Sequence, residues 1–377
     1  MIGDLLVYNI LKTALLTLLF VYGISLYKLK KSKTVIFLII AIIAFSLIEG
    51  LRWDRGPDYY NNYLLLTTNS YMVAKSEPVF TFITTTLRDT LLLPYWGCFI
   101  FFSFFYIFSY TKVVGEFRKA AIWALPVMFL TTVDAHENLI RQFIGISFTL
   151  LAYYSHIKKY HIATFVLLIC AILTHYSGAF AFVLFYIIAI LKPENIIKKP
   201  IILVAIYLVL FFFWDTSYLN PITNVLTKID IGTDSMQGYL DNADRWFTEE
   251  GSISALKGKG GIASLAKYFF TLVTNCTIIY WGYKTIKYDQ RLRIPYWFTF
   301  IALIIHVIGG DIEIYDRFAW WLYPLMPIVL GAIWYIVPMN KKTKMALMFI
   351  IAFSYIYAFI MSFTTIPYYG FAFVWDL

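Results

Sequence analysis

Cysteine is scarce in this chain: three in 377 residues, Cys98, Cys170 and Cys276, each inside a different apolar stretch. Their spacing makes neither a disulfide framework nor a metal-ligand set. Charge is scarce too, at 14% of residues, and acids are scarcer than bases, 22 Asp and Glu against 31 Lys and Arg. No Walker loop, dinucleotide fingerprint or HExxH helix occurs, so nucleotide-driven and zinc-protease chemistry has no carrier here. No soluble domain, low-complexity linker or internal repeat shows, and the missing repeat speaks against transporter folds built from two related halves. What is abundant is apolar: 60% hydrophobic residues, 20% aromatic, and a mean hydropathy of +0.71. That is the composition of an all-α polytopic membrane protein.

Twelve apolar spans are legible, at 5–27, 34–49, 91–110, 119–134, 139–155, 161–175, 177–191, 199–214, 263–284, 294–309, 318–338 and 344–363. A perpendicular helix needs roughly 20 residues to cross a bilayer. The pairs 119–134/139–155 and 161–175/177–191 therefore read either as crossings or as broken helices buried in protein or lining a wet cavity. The expectation is ten to twelve transmembrane helices in a single membrane domain, residues 1–377.

Six junctions are rich in Lys and Arg: 28–33, 112–119, 158–159, 192–199, 284–293 and 341–344. They hold 19 of the 31 bases and only three acids, Glu116, Glu194 and Asp289. They fall at every second connection, and the positive-inside rule assigns them to the cytoplasmic face. Both termini and all longer loops then lie outside, away from ATP and nucleotide sugars. The basic excess is thus an orientation signal and gives no support to a nucleic-acid partner. Asp4 before the first span, Lys12 within it and the basic cluster after it do not make a cleavable signal. Two outer loops are large. The first, 50–93, ends in a stretch from Pro78 with apolar residues at helical spacing, as in an interfacial helix. The second, 215–262, is the most polar part of the chain and reads as a substrate-covering lid or as a plain loop.

Four polar clusters sit at the outer ends of spans. In Arg52-Trp53-Asp54-Arg55-Gly56-Pro57-Asp58-Tyr59, two guanidiniums suit bidentate phosphate contact and Asp58 suits a base. The plainer alternative is an Arg–Asp network that shapes the turn. In the second cluster, Arg141 and Gln142 open an apolar helix just after Asp134-Ala135-His136-Glu137-Asn138. A guanidinium at that depth needs a partner or a wet cavity, and the first turn of a helix favours anions. The alternative is an ion pair to Glu137, four residues back. Third is Thr174-His175-Tyr176-Ser177, whose histidine suits proton movement. Fourth is GGDIEIYDRFAWW, with Asp311, Glu313, Asp316 and Arg317, where Arg317 opens a span as Arg141 does. Arg88 and Arg245 are further loop candidates, and Lys12 and His306 sit within spans, where they snorkel or line a cavity. Exterior guanidiniums, carboxylates and a histidine without a nucleotide site fit a lipid-diphosphate substrate.

Taken in order, RWDRGPDY, Glu77-Pro78-Val79-Phe80, IRQFIGIS, THYSGAF and YDRF resemble the EpsG-like, Wzy-type polysaccharide polymerases. In that family an R-x-x-x-G-x-D-Y element precedes E-P-x-F, an R-Q pair and a helix-end histidine. The resemblance is close over 52–180 and loose at 316–318, and the loop from Asp215 matches nothing known. It implies a GT-C-like membrane glycosyltransferase that works without metal or cofactor at the periplasmic face of the bacterial inner membrane. Donor and acceptor would be undecaprenyl-diphosphate-linked oligosaccharides of O-antigen or capsule, with a flippase and a chain-length regulator as partners. Arg52, Arg55, Arg141, Arg317 and Arg88 would hold diphosphate, with Asp58 the first and His175 the second choice of base. Glu77, Glu137, Gln142, Tyr59 and Arg245 would orient groups or bind sugar. An O-antigen ligase is the nearest alternative. A flippase is disfavoured because the polar residues crowd the outer half, and a scaffold would not need arginines set into helix starts.

Overall fold

A backbone crossing hydrocarbon must satisfy its own N–H and C=O groups, and long apolar runs without β-branched alternation do so as helices. The computed structural model describes residues 2–55, 58–68, 77–215, 218, 262–309, 313–362 and 372–376. Fifteen α-helices are present among them. They are α1 Ile2–Lys28, α2 Lys31–Gly50, α3 Tyr59–Thr67, α4 Pro78–Thr85, α5 Tyr95–Val114, α6 Ala121–Asn138, α7 Ile140–Ile157, α8 His161–Thr174, α9 Gly178–Leu191, α10 Pro200–Phe213, α11 Ile262–Tyr288, α12 Arg293–Gly309, α13 Glu313–Trp320, α14 Met326–Ile336 and α15 Lys341–Ser362. No strand occurs among the described residues. Among them α1, α2, α5, α12 and α15 are long and apolar enough to cross a membrane, and α8, α9, α10 and α14 are shorter apolar helices. The protein is an all-α polytopic membrane protein.

Both uncertain pairs of spans are pairs of separate helices. A single non-helical residue, Leu139 (φ −89°, ψ 51°), divides α6 from α7. The span expected at 318–338 is broken instead: α13 ends at Trp320, a 3₁₀ turn covers Tyr323–Leu325, and α14 follows. Pro324 and Pro327 lack the N–H that would carry one helix through. Arg317 accordingly sits in the last turn of a short helix, and the expectation that it opens a long span is corrected.

The helices gather into two compact units. The first comprises Met1–Ile187, Pro327–Asn340 and Tyr355–Leu377. Glycines set its closest contacts: a Cβ on Gly50 of α2 would lie 2.5 Å from Ile100 Cα of α5, and one on Gly23 of α1 would lie 2.6 Å from the Ala121 carbonyl oxygen. Close backbone approach of this kind is how helices pack in lipid, where no hydrophobic force drives them together. Basic junctions meet at one end of this unit. Arg118 donates to the carbonyls of Leu26 and Leu29, and Lys158 pairs with Glu116 at 2.7 Å. The second unit comprises Ile188–Met326 and Lys341–Ser354. There Asn275 donates to the Tyr207 hydroxyl at 2.8 Å, and Tyr296 donates to the Ile279 carbonyl at 3.0 Å. Junctions 192–199 and 284–293 meet through Glu194, which pairs with Arg293 and accepts from Trp297 Nε1.

Candidate functional site

At the ends of α2, α6 and α7 opposite the basic junctions, the first unit assembles two groups of charge. The open group begins with Glu77-Pro78-Val79-Phe80. Pro78 is the first residue of α4, where its missing N–H costs nothing, and the residue before a proline is pushed to extended backbone. Glu77 (φ −120°, ψ 82°) makes no side-chain cap and turns its carboxylate inward. Phe80, 1% exposed, anchors the turn in a core shared with Tyr59, Phe99, Phe102 and Ile140. Ile140 is the first residue of α7, so this core holds α4 and the start of α7 together.

Arg141 follows Ile140, and its Nη1 lies 3.2 Å from Glu77 Oε2. The pair to Glu137 weighed from sequence is not the one formed, because the break at Leu139 takes residues 137 and 141 off a common helix face. Glu77 is buried, while a third of the Arg141 side chain is exposed (32%). Burial pushes the Glu77 carboxyl above its ordinary range, and Arg141 pulls it partly back.

His175 joins from the α8–α9 junction. α8 stops there because His175 is extended (φ −158°, ψ 119°), and the chain turns back through a bond from Gly178 N–H to the His175 carbonyl. His175 Nδ1 is 3.7 Å from Glu77 Oε1 and 3.0 Å from Ser177 Oγ. A nucleophilic triad needs serine and carboxylate on opposite ring nitrogens. Here both approach Nδ1, so the ring is held at that nitrogen and the three residues do not form such a triad.

The buried group lies next to it. Lys12 Nζ is 2.9 Å from Glu49 Oε1 and 3.0 Å from Glu137 Oε1, and Arg55 Nη1 is 3.1 Å from the same Glu137 oxygen. Arg52 donates to the Glu49 carbonyl and, at 3.0 Å, to the Glu137 carbonyl. Arg52 is 1% and Arg55 4% exposed, with ring faces of Phe99, Tyr8 and Phe373 about their guanidiniums. A strap from the C-terminal segment closes over them: Trp53 N–H bonds to the Ala372 carbonyl and Val374 N–H to the Leu51 carbonyl, both 2.9 Å. Lys12 therefore does not snorkel. It is a member missed by sequence reasoning, and the signal was there: a cation in one apolar span and an acid, Glu49, at the end of the next.

The remaining candidates scatter. Asp58 opens α3, and its N–H bonds to Asn138 Oδ1 at 2.9 Å, which ties it to the α6–α7 junction. Gln142 is buried beside Arg141. Tyr59, also buried, packs its ring 5.2 Å from Phe99, a core position with no face left for a sugar. Arg88 is held by Asp89, at 2.6 Å, and by the Leu65 carbonyl. In the second unit Asp316, beside Arg317, pairs with His306 Nδ1 at 3.4 Å and accepts from Trp320 Nε1. Arg245, Asp311, most of loop 215–262 and residues 69–76 lie outside the described residues. Among the described residues no three His, Cys, Asp or Glu form a metal-ligand group.

Comparison with protein families matches residues 35–373 to the EpsG family. The chain belongs to the EpsG family. The match contains the open charge group, the α8–α9 junction and every member of the buried group except Lys12. Membership makes this EpsG-family chain a membrane protein of the polysaccharide-polymerase type. Neither the curated proteins nor the solved structures contain a match.

Proposed function

We propose that the protein joins undecaprenyl-diphosphate-linked oligosaccharide repeats into O-antigen or capsular polysaccharide, at the outer face of the bacterial inner membrane. The observation that carries this reading is the Arg141–Glu77–His175 cluster, drawn from three separated motifs to the end of the unit away from its basic junctions. Arg141 offers its exposed N–H groups, at a helix start, to the diphosphate of the donor. His175, held at Nδ1, takes the proton of the acceptor sugar hydroxyl through Nε2. The hydroxyl oxygen bonds to the anomeric carbon of the growing chain as the bond from that carbon to the diphosphate breaks, and the lipid diphosphate leaves. Arg141 stabilises the charge on that leaving group, where losing one donor typically costs about 10²–10³ in rate. The geometry favours His175 over Asp58 as base, because it shares a carboxylate with the anion-facing arginine. Arg52 and Arg55, buried and engaged, serve this reading as supports for the site.

The test is glycan display from a strain lacking the chain, complemented with wild type, Arg141→Ala or His175→Ala and checked for expression. A single repeat on the lipid core in place of a ladder supports a polymerase with this site. A persisting ladder overturns the site. Loss of the single-repeat species as well moves the protein to ligation or flipping.

A further inference from the structure

The buried group raises a question that the proposed reaction leaves open: what a lysine does in the middle of an apolar span. Lys12 is 3% exposed, with the rings of Tyr8 and Phe129 about 5.2 and 5.5 Å from its Nζ. It cannot reach a substrate. Among the described residues it is the cation in contact with both buried carboxylates, Glu49 at 2.9 and 3.2 Å and Glu137 at 3.0 Å. Without it, Glu49 would lose its ion-pair partner and face the Glu137 carboxylate, with Arg55 the cation left on the pair, in a medium where neither acid is solvated.

What Lys12 holds is the end of α6. Glu137 precedes Arg141 by four residues, and between them the non-helical Leu139 lets the chain change direction. One support of the first turn of α7, beside the core that holds Ile140, is therefore the last turn of α6. Three contacts fix that turn from below: Lys12 and Arg55 on the Glu137 carboxylate, and Arg52 on its carbonyl. A bond from Asp58 N–H to Asn138 fixes it from above. We propose that Lys12 is a positioning residue, which locks Glu49 and Glu137 together and so aims Arg141 at the diphosphate. This rests on the reading of Arg141 given above.

The experiment is a kinetic cycle on purified full-length protein, extending a lipid-diphosphate-linked repeat. Lys12→Met, Lys12→Arg and Arg141→Ala are measured singly, and Lys12→Met also in the Arg141→Ala background. Lys12→Met is expected to lower kcat by about 10- to 100-fold with KM within threefold, and Lys12→Arg to recover much of the loss. In the Arg141→Ala background, Lys12→Met is expected to cost no more than about twofold, because there is no guanidinium left to misplace. An equal fractional loss in both backgrounds, or no loss in either, overturns the proposal. If Arg141→Ala alone retains the wild-type rate, the fault lies instead with the reading of Arg141. Should Lys12→Met not accumulate, the neutralised double variant with Glu49→Gln, which leaves Glu137 paired to Arg55, carries the same comparison. If that double variant also fails to fold, the network serves the fold alone and the proposal is wrong.

Discussion

Glu77→Gln separates stability from activity at the open cluster. The substitution keeps the shape of the side chain and removes its charge. Glu77 is buried and touches Arg141 at 3.2 Å and His175 at 3.7 Å, so both partners lose their anchor at once. A hydrogen bond to a charged group contributes about 1.5–3 kcal/mol, which in a rate corresponds to roughly 10- to 150-fold. That is the expected loss of chain elongation. Because Glu77 acts through both Arg141 and His175, the double variant with Arg141→Ala should lose less than the product of the two single losses.

Stability should run the other way. Burial raises the Glu77 pKa in the fold, and the Arg141 attraction only partly offsets it. A carboxyl with a raised folded pKa contributes stability that is fully present below its ordinary pKa and is lost as pH rises through the folded value. At neutral pH the ionised Glu77 is thus a net cost to the fold, and glutamine, which cannot ionise, removes it. The unfolding midpoint of Glu77→Gln, followed by intrinsic fluorescence at pH 7, should match or exceed wild type while elongation collapses. In wild type the rate should fall as pH drops through a value above the usual carboxylate range, and Glu77→Gln should lack that acid limb. A variant with a lowered midpoint and a near-normal rate would refute the reasoning, because Glu77 would then be a structural ion pair and nothing more.

Arg52→Ala strips donors from two buried carbonyls and unbalances a buried charge group, an effect of about 3–5 kcal/mol. It should fail to accumulate in membranes, whereas Arg141→Ala should accumulate like wild type and elongate about 10²–10³-fold more slowly. Phe373→Ala removes a side chain 1% exposed that lies over Arg55, and should cost about 3 kcal/mol in thermal unfolding. Gly50→Ala forces α2 away from Ile100 and should destabilise by roughly 1–3 kcal/mol. Gly115→Ala meets nothing within 4 Å and should leave the midpoint within the error of the same scan.

The helices were legible because apolar run length and basic junctions are one-dimensional signals. Eleven of the twelve spans each coincide with a single helix, and the twelfth is divided where Pro324 and Pro327 interrupt it. The pairing of charges was not legible. Glu137 and Arg141 stand four apart, a spacing that predicts an ion pair on a continuous helix, and one residue of non-helical backbone at Leu139 cancels it. Glu77 finds Arg141 64 positions away through a core of Phe80, Phe102 and Ile140 that no local pattern announces. Asn138, a member of the second cluster with no partner legible in the sequence, ties the RWDRGPDY turn to the same junction.

The arginines make the limit clearer, and also the division of labour. Arg52, Arg55 and Arg141 all stand at the ends of spans away from the basic junctions, and by residue type all three suit a phosphate. In the fold Arg52 and Arg55 are enclosed by carbonyls, a carboxylate and aromatic faces, whereas Arg141 pairs with Glu77 and keeps about a third of its side chain exposed. A guanidinium that must bind and release a diphosphate in every cycle has to exchange its partner for water or ligand at low cost. One that must hold a loop against a bilayer has to do the opposite. Burial decides between these uses, and it depends on helices that meet only after folding. The same argument explains why the two groups adjoin. Arg141, a third of it exposed, is aimed from one side by Glu77 and the Ile140 core and, on the proposal above, from the other by the enclosed charges at the end of α6.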